Sequence, residues 1–338
     1  MTFSVRGNKI LRFGVLTILA FSIPVLIWGG FRSGRMVKEL PILGVLLSGP
    51  VREAKMAGLI QSLREMGLGQ GKDYRLVVKY AGDSLGGLKD AAQELVDLNP
   101  RVLVAGGGVE ADALQAVTGR IPIVFMGVAS SQQRGLVASY RYPGGNVTGV
   151  DNYHTELAGK RLEFISRILP GVKRVLVLYD PRVTPGTSSL KVMEEAANRL
   201  GIRAETLAVT ETGSLPGLLT ERARGRYDAI LPLSSFFMEA LGERLVDISQ
   251  QLGIPLMGLT EEDARMGYLA SYGVSYTNQG RQAARLVYKI WHGQDPSSVP
   301  VESPDSIDLV INLAVAKKLH RAIPLQVLGY ASRVIPGP

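Results

Sequence analysis

From Leu40 onward short apolar runs alternate with amphipathic segments, and that alternation constrains the fold more than any other feature of the chain. Ile42–Leu47 reads as a buried strand, with Ser48-Gly49-Pro50 as the loop after it. Met56, Leu59, Ile60, Leu63 and Met66 then recur at helical spacing, and Gly67 stands where a C′ glycine belongs. Tyr74–Tyr80, Arg101–Ala105 and Ile121–Met126 are the next strands. Helices are expected between them at 85–98, stopped by Asn99-Pro100, and near Glu110–Val117. Strands that alternate with helices predict parallel sheets joined by right-handed crossovers. In such sheets ligands bind outside the carboxyl ends of the strands.

Halfway along, the pattern breaks. Pro143-Gly144-Gly145-Asn146 is a run of turn formers, Val147-Thr148-Gly149-Val150 a short strand, and Asp151-Asn152 a stop. Thr155 is placed to cap a helix whose apolar positions Leu157, Leu162, Ile165 and Leu169 share a face before Pro170. A break of this kind is where a chain leaves one lobe for another, with Asn152 and Tyr153 lining the cleft between. The alternation then resumes. Strands are expected at Arg174–Tyr179, Ile202–Val209, Asp228–Pro232, Ile254–Met257, Tyr268–Tyr272 and Ile307–Asn312, and helices near 187–200, 215–224, 236–252 and Thr277–Trp291. The fold class is α/β, two Rossmann-like lobes with parallel sheets, and 338 residues suit two lobes better than one core.

Hydrophobic content of 46% with 20% charge is that of a globular chain. The net charge of +8 does not imply nucleic acid, because the bases are scattered and no basic stripe is interleaved with aromatics. With no cysteine there is no disulfide, thiolate catalyst or Cys-based zinc site. Residues 13–31 carry no charge and follow Arg6, Lys9 and Arg12; they are long enough to cross a bilayer and lack an Ala-x-Ala cleavage site. An N-terminal hydrophobic helix within residues 1–35, kept as a membrane anchor, is the expectation, with a cleaved signal peptide as the alternative.

Gly135-Leu-Val-Ala-Ser139, Pro143–Val150, Asn152 and Glu156-Leu-x-Gly-Lys-Arg-Leu-Glu163 carry a resemblance, together with Leu63–Gly67, Gly71-Lys72, Ile121–Phe125 and Leu309–Leu313 followed by Ala316-Lys317. In this order they resemble the ABC transporter substrate-binding proteins, periplasmic solute receptors with the type I binding-protein fold. The resemblance implies lobes at 40–150 plus 277–296 and at 151–272 plus 305–335, joined by three hinge crossings. It implies no cofactor and a small-molecule solute, an amino acid or aromatic compound. It also implies ABC permease and ATPase subunits as partners, and a periplasmic location with residues 13–31 in the inner membrane. This chain departs from its relatives at Gly107-Gly108-Val109-Glu110, where they usually have Gly-Thr-Pro-Ala, and at Ala129-Ser130-Ser131, where Gly-Asp-Pro is common.

Gly106-x-Gly108-x-x-Ala111 lies between a strand and a helix, as a dinucleotide fingerprint would. Glu110 and Asp112 in the first helical turn would repel a pyrophosphate, and no acid about 20 residues on could hold a ribose. The plain alternative is a glycine turn that lets the backbone pass close to a small ligand. Ser130 and Ser131 could hold a ligand carboxylate or merely cap a helix. In the second half Asp180, Ser234–Phe237, Glu261-Glu262 and Tyr272 fall at successive strand ends; Phe236 or Tyr272 could stack on a flat ligand, and either acid could meet an ammonium. Each alone is more often core, cap or solvated surface. The expected ligand set is Ser48, Gly107, Gly108 and Ser130 from one lobe and Asn152, Ser235 and Tyr272 from the other. No catalytic or metal site is expected: His154, His292 and His320 are far apart, and no Gly-x-Ser-x-Gly, P-loop or His-Glu-x-x-His occurs. The rival functions are a ligand-sensing ectodomain of a membrane signalling system and a Rossmann-type enzyme.

Overall fold

A computed structural model describes residues 39–82, 85–182, 186–210, 217, 219 and 225–337. The expected hydrophobic helix at 13–31 and most of the expected helix at 215–224 lie outside the described residues. Among the described residues no helix is long and apolar enough to cross a membrane.

The first sheet contains β1 (Ile42–Leu47), β2 (Arg75–Tyr80), β3 (Val102–Ala105), β4 (Ile123–Val128) and β5 (Val147–Asp151) in the order β2-β1-β3-β4-β5, all parallel. The central strands β1, β3 and β4 are buried throughout, as continuous apolar runs covered on both faces should be. Arg75 and Lys79 mark β2 as the edge. Helices α1 (Glu53–Glu65), α2 (Leu85–Asp97) and α3 (Gly108–Val117) make the crossovers. Alternate residues of β1 divide the core: Leu43, Val45 and Leu47 face α1, while Leu46 meets α2 and α3 with Leu103, Ala105 and Phe125.

The second lobe contains β6 (Arg174–Tyr179), β7 (Arg203–Ala208), β8 (Ala229–Pro232), β9 (Met257–Thr260), β10 (Ala270–Val274), β11 (Asp308–Asn312) and β12 (Arg333–Ile335). They run β7-β6-β8 and β9-β10-β11-β12, joined where Ile230 bridges Leu256, and only the β10–β11 pair is antiparallel. Around them lie α4 (Ala158–Ile168), α5 (Gly186–Leu200), α6 (Phe236–Ala240), α7 (Gly242–Leu252) and α8 (Glu261–Met266). Helix α9 (Tyr276–Trp291) instead packs on α1 of the first lobe, burying Ala283, Ala284, Leu286, Val287 and Ile290. The chain thus passes between the sheets three times, after β5, after β10 and before β11. Glu302 pairs with β5 through Asp151 N–H to Glu302 O at 2.9 Å and Glu302 N–H to Gly149 O at 2.9 Å.

Four expectations need correction. β9 starts at Met257 rather than Ile254, because Gly253 turns left-handed at φ 69° and the Ile254 N–H closes α7 on Ser249 O at 3.1 Å. β10 is Ala270–Val274 rather than Tyr268–Tyr272, since the Tyr268 N–H is held by Asp263 O at 3.1 Å. The 236–252 segment is two helices that meet at Leu241. Thr155 caps nothing: α4 begins at Ala158, and the Thr155 hydroxyl accepts from Ser130 Oγ at 3.1 Å. Helices α8, α10 (Leu313–Lys318) and α11 (Leu325–Leu328) and strand β12 are too short to leave a periodic signal.

Candidate functional site

The carboxyl ends of β1, β3 and β4 face the loop and helix that follow β8, so residues from both lobes meet in one crevice. Among the described residues it holds at least two spaces. One of about 50 Å³ is bordered by Gly108, Gly127 and Ala129 on one side and Asn152, Ser234 and Ser235 on the other. The other, about 280 Å³, lies between Ser48–Val51 and Ala240, Glu243 and Met266. Phe236 and Glu239 border both.

Arg52 is the centre of the crevice. It stands just ahead of α1 with only 4% of its surface exposed. Its Nη1 pairs with Glu110 Oε2 inside its own lobe. Its Nε and Nη2 reach across to Glu239 Oε2 at 3.0 and 2.9 Å. Glu110, fully buried in the first turn of α3, also accepts the Ser48 N–H on Oε1 at 2.7 Å. Burial, the largest influence, would raise the Glu110 pKa, but Arg52, the hydrogen bonds the carboxylate accepts and Lys55 together outweigh it and hold the carboxyl below its ordinary range. Burial would likewise lower that of Arg52, and Glu110 and Glu239 together more than reverse it.

One helical turn on, buried Lys55 donates to Gly106 O and Met126 O, both at 2.8 Å, and its Nζ lies 4.5 Å from the centre of the Tyr276 ring. Two carbonyls match the two N–H bonds of a neutral amine. Burial first, and then the Arg52 charge, lower the Lys55 pKa from about 10.5 to about 7. Above pH 7 the unfolded chain therefore holds a proton that the folded chain has released. Stability is predicted to rise with pH between about 7.5 and 9, by about 1 kcal/mol per unit, and Lys55→Met should flatten that slope in urea denaturation.

Of the expected ligand residues, Ser48, Gly108, Asn152 and Ser235 border the crevice. The glycines admit side chains of this protein: a Cβ at Gly107 would strike the Arg52 guanidinium, and one at Gly108 would come within 2.9 Å of Arg134 Cζ. Asn152 Oδ1 accepts the His154 N–H at 3.1 Å, and Ser235 Oγ caps α6 by accepting the Met238 N–H at 3.0 Å. Ser130 is buried in a left-handed turn at φ 52°, its hydroxyl on Thr155. Tyr272 is turned away: its ring packs on Phe164 of α4, 4.4 Å between centroids, within the core of the second lobe. Alternation along β10 decides this, since Tyr272 takes the α4 face. Glu261 and Glu262 line a separate cavity of about 360 Å³ with Asp308 and Arg333.

The sequence reading missed Arg52, Lys55, Glu239 and Gln279, and it took Glu110 only as an obstacle to phosphate. Two cations at i and i+3, one just ahead of α1 and one in its first turn, were the available signal. At the first crossing, fully buried Arg161 joins α4 to β10 by donating to Tyr272 O at 2.8 Å and His154 O at 3.0 Å, with Nη2 2.9 Å from His154 Nδ1. Burial lowers its pKa to about 9, and burial and Arg161 keep His154 neutral. Among the described residues no cluster of His, Asp or Glu could hold a metal ion.

Comparison with known proteins places this architecture. The "Tyrosine-binding protein" of Clostridioides difficile (strain R20291) is 22% identical over 275 residues, 81% of this chain and 79% of that protein. A solved conserved domain protein from Vibrio cholerae O1 biovar El Tor str. N16961 is 28% identical with a TM-score of 0.81, covering 88% of this chain and all of the other. The ABC domain in complex with L-Trp from Streptococcus pneumoniae is 23% identical, again with a TM-score of 0.81 and 88% of this chain covered. The fold is thus that of the type I periplasmic binding proteins, two α/β lobes about a crevice. Residues 42–335 match the family model described as ABC transporter substrate binding protein, so the chain belongs to that family, one of binding proteins rather than enzymes.

Proposed function

We propose that this chain is the extracytoplasmic receptor of an ABC import system, closing its two lobes on a small organic solute and presenting the closed form to a permease whose ATPase subunits drive transport. The observation that carries the reading is the Arg52–Glu239 pair, which ties first-lobe and second-lobe residues together at the carboxyl ends of both sheets. A solute can shift such a clamp only by touching both halves, so that closure gains contacts the open form lacks. Residues 40–150 with 277–296 would move as one body and 151–272 with 305–335 as the other. Residues 13–31 would hold the chain to the membrane. The names of the Clostridioides and Streptococcus relatives support an amino acid as the solute.

Native mass spectrometry of the full chain in detergent would identify a retained solute, and a thermal-shift screen would find others. A true ligand at a hundred times its Kd should stabilise the protein by about 2.7 kcal/mol. Small-angle scattering should then show a more compact particle with ligand than without. Unchanged dimensions in the presence of a saturating tight binder would overturn the clamp.

A further inference from the structure

We propose that the Nε–Nη2 edge of Arg52 is the carboxylate-recognition element of the crevice. Glu239 is its built-in competitor, occupying that edge until a solute bearing both a carboxylate and an ammonium group displaces it. The proposal rests on the interlobe reading above and adds to it the groups that recognise the solute.

Three observations carry it. First, the guanidinium is fixed from behind. Glu110 shares Arg52's lobe, is fully buried, and uses one oxygen on Arg52 Nη1 and the other on the Ser48 N–H. The remaining Nε–Nη2 edge points across the crevice, the fork that matches a carboxylate. Second, what occupies the fork is itself a carboxylate, from the opposite lobe and 17% exposed. Glu239 stands between the two spaces of the crevice, so a solute filling either must move it or meet it.

Third, an unmatched polar group is buried against the crevice wall at Gly127. The Gln279 side chain, on the first turn of α9 and 2% exposed, lies against Gly127 of the crevice wall, and neither its Oε1 nor its Nε2 has a partner in the protein. A buried amide left so is costly. It offers an acceptor to an ammonium and a donor to a carboxylate.

Charge balance selects the class. Arg52, Glu110 and Glu239 sum to −1, and Lys55 one turn on, its pKa lowered to about 7, adds less than a full positive charge at neutral pH. A solute that is only an anion would add a further negative charge to this balance, whereas a zwitterion leaves it unchanged. Its carboxylate takes the Arg52 fork, and its ammonium takes Glu239, which needs only to turn aside.

The test uses the full chain in detergent and isothermal titration. The twenty standard L-amino acids are screened by thermal shift. The best binder is compared with the amine left by removing its carboxylate and the acid left by removing its amino group. On the wild type both should bind at least about thirtyfold more weakly. Because Arg52→Met alone would strand Glu110, the variant is Arg52→Met with Glu110→Leu, which replaces a buried pair by apolar groups. It should lose about thirtyfold or more for the amino acid and leave the amine within about threefold. Glu239→Gln should do the reverse, strengthening the deaminated acid about tenfold, because the competing carboxylate is gone, and weakening the amine. The proposal fails, with the clamp intact, if the double variant keeps wild-type affinity, if Glu239→Gln leaves the acid unchanged, or if only solutes without a carboxylate close the lobes. If no solute closes them, clamp and proposal fall together.

Discussion

Glu110→Ala is expected to lower the free energy of unfolding by about 3–5 kcal/mol, the usual cost of removing one member of a buried ion pair. The loss has two parts. Arg52, 4% exposed, would keep only the Glu239 carboxylate across the crevice, and the buried Ser48 N–H would lose its acceptor. Urea denaturation should show a lower midpoint with an unchanged slope if the compactness of both states is kept. Arg52→Met with Glu110→Leu should recover the part due to the stranded charge, because both partners are replaced by apolar groups, and leave the part due to the Ser48 N–H. The pH dependence carries the same signature. The folded state holds the Glu110 carboxyl below its ordinary value of 4.5, so its contribution is complete above about that pH and is lost as pH falls through the lower folded value. Glu110→Gln should lack that portion of the acid limb.

Gly280→Ala is the second large effect, expected to cost about 3 kcal/mol, at the upper end for forcing a group into a packed contact. Helices α1 and α9 touch backbone to backbone. A Cβ at Gly280 would fall on the carbonyl oxygen of Lys55 and lie 2.9 Å from the Leu59 nitrogen, and a Cβ at Gly58 would strike Thr277 O. Neither obstacle is the flexible end of a side chain, so relief requires moving a helix. That movement would carry Lys55 off the carbonyls of Gly106 and Met126 and disturb the crevice as well as the core. Ligand affinity and stability should therefore fall together. Gly86→Ala is the control: it lies in α2, exposed, with nothing within 4 Å of the added carbon. There the change should be neutral or favourable by up to about 1 kcal/mol, as helix propensity dictates.

These contacts show how much of the site could be read in advance. Ser48, Gly108, Asn152 and Ser235 border the crevice because strand ends are visible as ends of apolar runs, and ligands gather there. Tyr272 lies off the crevice for a local reason. The strand around it is Ala270–Val274, and which face its third residue takes depends on pairing with β11 and packing on Phe164, both distant in sequence. Arg52, Glu110, Glu239 and Gln279 were not legible as neighbours, for a global one. They stand up to 227 residues apart in number, since Gln279 minus Arg52 is 279 − 52, and no spacing rule links residues that only tertiary packing brings together, Glu239 from the opposite lobe among them.

Hydrophobic periodicity fixed the order of strands and helices, the parallel sheets and the break at Asp151-Asn152, because burial of apolar faces acts on neighbours along the chain. It could not say that α9 crosses back onto α1, that glycines at 58 and 280 let the two backbones touch, or that Glu110 would steady Arg52 rather than repel a phosphate. Those were decided by tertiary packing, since a buried charge is tolerable only beside its partner, and the partner's position is a property of the folded chain.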